Sequence, residues 1–141
     1  MILTLAIAVT TLSAFAGEEN VNQKVLNAFK TEFTTAKDVE WTVGSNYYRA
    51  AFLYNEKFVY AFFNENGELL GMSRYLSPVD LPLGLQNSLK KNYENFWVSD
   101  LFEASKNDET VYYITVENAD TKIVLKSSGN SWTTYSKSKK S

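Results

Sequence analysis

The chain has 141 residues, 45% hydrophobic and 21% charged, with a formal net charge of −2, the make-up of one globular domain with a real core. That balance excludes a global basic field of the kind that recruits nucleic acid. Cys and His are both absent, which excludes disulfides, thiolate nucleophiles, sulfur-ligated metal sites and the commonest general base and zinc ligand.

Residues 1–16, MILTLAIAVTTLSAFA, hold no charged side chain. The apolar run 2–12 is too short to span a bilayer comfortably. Ala14-Phe15-Ala16 forms an A-x-A site, and Gly17-Glu18-Glu19-Asn20 turns polar. This predicts a secretory signal peptide cleaved after Ala16, although the basic residue usual near the start is absent. The alternative is a buried N-terminal strand or helix. Cleavage would leave a soluble exported chain, periplasmic or secreted, that folds without disulfides.

The first helix is predicted over 20–35. Val21, Val25, Phe29 and Phe33 form its apolar stripe, Asn20 is its N-cap residue, and Gln23 stands at capping-box spacing. From Val39 the period changes to two. Strands are predicted over 39–43, 47–54, 57–63 and 68–75, the last interrupted by Gly71. Asn55-Glu56 and the Asn-Gly pair at 66–67 mark tight turns. Both prolines lie in the next seam, Leu76-Ser77-Pro78-Val79-Asp80-Leu81-Pro82. They stop a strand and permit a new helix, with Asp80 as cap and Pro82 in the first turn.

Beyond the seam the chain repeats the pattern of its first half. A helix over 81–94 carries Leu81, Leu85, Leu89 and Tyr93, the first stripe displaced by sixty residues. Asn87 matches Asn27 and Lys90 matches Lys30. Strands are predicted over 96–104, 110–117, 121–126 and 131–135. Gly67 and Gly129 fall in equivalent last turns. The expected organisation is one domain over 17–136, built of two repeats at about 20–76 and 80–136. A polar, basic tail at 137–141 is expected to fray.

A helix followed by about four antiparallel strands, twice, resembles the PepSY-like, β-lactamase-inhibitor-like (BLIP-like) family of bacterial periplasmic proteins. The resembling residues are Asn92-Tyr93 before Phe96-Trp97-Val98, the strand Val111-Tyr112-Tyr113-Ile114-Thr115-Val116, and Ser128-Gly129-Asn130-Ser131-Trp132. The likeness covers nearly all of residues 20–136. It implies an α+β fold in which one antiparallel sheet carries the helices on one face. It implies no set of catalytic residues.

Candidate chemistry is sparse. Asn64-Glu65-Asn66-Gly67-Glu68 superficially suggests a calcium loop, but it lacks the alternating acids and the closing Glu, and reads as a β-turn. Asp38 and Glu40 form a carboxylate pair on one side of a strand with no second half to the site. Without His the usual serine triad cannot form, and no motif marks a Ser-Lys pair. Lys137, Lys139 and Lys140 would attract an anionic surface only weakly. No enzyme, metal or cofactor is expected.

The aromatics, 15% of the chain, carry more. Alternation predicts that Ala61, Phe63, Ile123 and Leu125 face the helices. Phe58, Tyr60 and Phe62 then face away, with Tyr47, Arg49, Leu53 and Tyr113, beside Lys122, Val124 and Lys126. Such a patch is either an interaction surface or a face covered by the other repeat, or the register is slipped by one. The function expected is a non-catalytic binding or inhibitor-like module for a protein or peptide of the cell envelope. Its binding residues are Tyr47, Arg49, Tyr60, Phe62, Tyr113 and Trp132 on the outer sheet face. The alternatives are a carrier of a small apolar ligand and a structural protein that forms homodimers through the same face.

Overall fold

The computed structural model describes residues 14–141. The apolar run of the predicted leader lies outside the described residues. A short strand β1 (Ala14–Ala16) and a 3-10 turn (Glu18–Asn20) lead into α1 (Gln23–Glu32). Four strands come next: β2 (Lys37–Val43), β3 (Tyr48–Tyr54), β4 (Lys57–Phe63) and β5 (Leu69–Tyr75). A second 3-10 turn (Pro78–Asp80) precedes α2 (Leu83–Asn92), then β6 (Trp97–Lys106), β7 (Glu109–Glu117), β8 (Thr121–Ser127) and β9 (Thr133–Lys139). The nine strands among the described residues form one antiparallel sheet in chain order. No helix among the described residues is long and apolar enough to cross a membrane.

The helices are shorter than predicted, and the physical reason is the same in both repeats. Asn20 and Asp80 close 3-10 turns rather than cap α-helices. Asp80 Oδ2 accepts from the Ser77 amide at 3.0 Å. The cap of α1 is Asn22, whose Oδ1 accepts from the Lys24 amide at 2.8 Å; Gln23 instead donates to Asn27 Oδ1 at 2.9 Å. In α2 the preceding residue is Pro82, which offers no side-chain cap. The duplication survives these corrections, because turns and helices recur at the same sixty-residue offset.

Two-residue hairpins join β3 to β4 and β6 to β7. Asn55 and Glu56 (φ 49° and 65°) and Asn107 and Asp108 (φ 50° and 65°) all adopt left-handed backbone, the pattern whose twist matches that of paired strands. In the supposed calcium loop Asn64 Oδ1 accepts from the amides of Asn66 and Glu68, each at 3.0 Å, as in a β-turn.

Each helix buries one side against its own repeat. Val25 and Phe29 of α1 meet Trp41, Ala50, Phe52, Ala61 and Phe63. Phe29 sits 5.0 Å from Phe52 and 5.2 Å from Trp41, both edge to face. Leu85 of α2 meets Leu101, Ile114, Val116, Ile123 and Leu125. The first core is thus largely aromatic and the second aliphatic. Ala61, Phe63, Ile123 and Leu125 are all buried on the helix side, so the register is the predicted one.

The tail at 137–141 corrects an expectation. Residues 137–139 belong to β9, the Lys140 amide donates to the Asp120 carbonyl at 2.8 Å, and Lys140 Nζ lies 2.9 Å from Glu117. Its polarity is that of an exposed edge strand.

Candidate binding face

Side chains alternate across a strand, so burying Ala50 and Phe52 sends Arg49, Ala51 and Leu53 to the opposite face. In register with them on β4 are Phe62, Tyr60 and Phe58. Further along, Tyr60 is opposite Ser73 and Phe62 opposite Gly71. The neighbouring row runs Tyr75, Phe102, Tyr113, Lys126 across β5 to β8. The rings meet in three groups along these rows. Tyr47 lies 5.8 Å from Phe62, and Tyr60 lies 5.8 Å from Tyr75. Phe102 stacks on Tyr113 at 5.1 Å, and Tyr135 meets Tyr113 edge-on at 5.5 Å. An aromatic band therefore crosses the sheet on the side without helices. Phe58 is 61% exposed and Tyr75 64% exposed on this face.

Cations stand at both ends of the band. The Arg49 guanidinium lies 5.2 Å from the Tyr60 ring centre, and its Nη2 donates to Thr42 Oγ1 at 3.2 Å. Its Nε is enclosed and has no partner among the described residues, which leaves a donor of real cost. Lys126 Nζ lies 5.6 Å from the Tyr113 ring centre. Beyond it, Lys140 stands 4.4 Å over Trp97. The Ser99 hydroxyl, and then Lys140, hold the Glu117 carboxyl below the usual carboxylate range. Partial desolvation beside the neighbouring rings, and then the charge of Asp100, push the Tyr75 phenol up although much of the ring is open to solvent.

No protein-family model and no curated protein sequence matches the chain. Solved structures match its shape. A BLIP-like protein from Bacteroides fragilis superposes with a TM-score of 0.73 at 22% identity, covering 84% of this chain and 86% of that one. The fold is BLIP-like. A DUF2874 family protein from Bacteroides ovatus gives 0.74 at 22% identity, covering 84% and 87%. A protein from Bacteroides eggerthii provisionally described as periplasmic gives 0.73 at 15%, covering 84% and 88%.

On this BLIP-like sheet, Tyr47, Arg49, Tyr60 and Phe62 stand together on the outer face, as alternation required. Tyr113 shares the face but is only 7% exposed, covered by Phe102 and Tyr135; it is floor rather than contact surface. Trp132 is a correction. It packs against the second core on the helix side, and its Nε1 donates to the Leu85 carbonyl at 3.1 Å. It lies in the connection before β9, where strand alternation does not carry across. The residues missed are Tyr75, Phe102 and Tyr135. Counting alternate positions along β5 from Gly71 would have placed Tyr75.

The helix side of the BLIP-like sheet has its own hollow, a cleft of about 340 Å³ where the repeats join, lined by Tyr54, Lys57, Met72, Arg74, Glu103 and Ser105 among others. Arg74 Nε and Nη2 donate to the two Glu103 oxygens at 3.0 and 3.2 Å. That hydrogen-bonded pairing holds the Arg74 guanidinium above its ordinary range. This fork ties β5 to β6 between the two cores.

Proposed function

We propose that this chain is an exported, non-catalytic binding module that recognises a protein or peptide of the cell envelope through its outer sheet face, once a leader ending at Ala16 has been removed. The observation that carries the reading is the aromatic band, with Phe58 and Tyr75 exposed. Aromatic and arginine side chains dominate binding energy where a partner excludes water. Arg49 fits that role, since its guanidinium is held over the Tyr60 ring on that face. The relative provisionally described as periplasmic supports the compartment. The charged lining of the cleft disfavours an apolar cargo there, because such a ligand would strip water from Arg74 and Glu103 without replacing it.

A photo-crosslinking residue placed at Phe58 or Tyr75 in the exported protein tests this. One discrete protein adduct is expected from both positions and none from Leu83, an exposed apolar residue on α2. Equal labelling from all three, or none from Phe58 and Tyr75, would sink the proposal. An adduct of twice the chain's mass would assign the face to a second copy.

A further inference from the structure

The two edges of the sheet differ in how they discourage another strand. β9 carries Lys137 and Lys139, and charge on an edge opposes pairing. The first half of β2 carries Lys37, Asp38 and Glu40. Its register with β3 shifts between Lys37 and Glu40, where Asp38 has a φ of 52°. Trp41, Thr42 and Val43 have neither charge nor bulge. β1 pairs with that unguarded half: Ala14 opposite Val43, Phe15 opposite Thr42 and Ala16 opposite Trp41, antiparallel.

We propose that the Trp41–Thr42–Val43 edge is a strand-acceptor site, filled before processing by the leader's own Ala14–Ala16 and afterwards by an extended segment of another polypeptide. The inference rests on the proposed leader but uses a surface separate from the aromatic band. Cleavage after Ala16 removes all of β1 and leaves a row of backbone donors and acceptors without partners. The occupant is defined by the strand it replaces: at least three extended residues without proline, antiparallel to Trp41–Thr42–Val43. Its main chain supplies the bonding and its alternate side chains the selectivity. A second copy fits poorly, because the edges it would offer are a half-charged β2 and a lysine-bearing β9.

Both cores lie between Val21 and Trp132, so a chain beginning at Gly17 retains every core residue. Amide hydrogen exchange at residues 41–43 in the full chain and in this shorter one tests the site. Protection of those amides among them that face β1 is expected in the full chain and its loss in the shorter one, while the amides that face β3 stay protected in both. A synthetic peptide of residues 13–17, supplied in excess, is expected to restore it, whereas the same peptide with Phe15→Pro is not. Equal protection of the β1-facing amides in both chains, or equal action of the two peptides, would overturn the proposal. The intact mass of the exported protein separates the two readings: an uncleaved chain refutes the leader, and the exchange data alone judge the slot.

Discussion

Phe52 and Tyr75 show how position decides what a ring does. Phe52 is wholly buried and touched by Phe29, Phe33 and Tyr54. Phe52→Ala is expected to cost about 3–5 kcal/mol, the range for emptying a packed aromatic site. Tyr75→Ala, on the open face, should stay within about 0.5 kcal/mol of the parent. Urea unfolding of the two variants checks the contrast. Glu117 makes a pH prediction. Its carboxyl is held low by the Ser99 hydroxyl and by Lys140, so the fold favours its ionised form. Its contribution is complete above the ordinary carboxylate range and is lost as pH falls through the lower folded value. Glu117→Gln should therefore lower stability by a constant amount above the carboxylate range, leave it unchanged at strongly acid pH and so flatten the rise between them, as read from urea midpoints across pH.

At the scale of elements, the repeats share geometry without sharing every constraint. Gly67 has a φ of 82°, and a Cβ there would stand 2.7 Å from the Lys24 carbonyl oxygen of α1. Gly129, its counterpart, would meet nothing within 4 Å. Gly67→Ala is expected to lose about 2 kcal/mol through strain at a residue the helix overlies, and Gly129→Ala to change stability by less than about 0.5 kcal/mol; thermal unfolding of both tests this. Matching the two glycines from the sequence found the turn but not the helix against it. The face each side chain takes was legible because a two-residue period leaves no freedom once Ala61 and Phe63 are inside. Helix ends were not, since Asn and Asp serve 3-10 turns and α-helices by the same side-chain bonds. β1 was legible only as the alternative to a leader, because Ala-Phe-Ala has no pattern of its own and pairs through the edge of β2. Trp132 escaped because its partner, the Leu85 carbonyl, is 47 residues away.

The described residues form one sheet with two cores on one side and an aromatic band on the other. The Arg74–Glu103 fork holds the repeats together where neither core reaches. Such a division leaves the outer face free of the duty of folding, which is what a docking surface requires. Residues such as Tyr60 and Phe62 were legible as outward-facing, but what covers a face depends on distant chain, and only the folded arrangement placed no helix there. Light scattering together with thermal unfolding, on the chain from Gly17 and on its Phe58→Lys/Tyr75→Lys variant, tests this division most directly. A monomer is predicted in both cases, with an unchanged unfolding temperature. A parent dimer that the double substitution converts to monomer, or a variant that fails to fold, would contradict it.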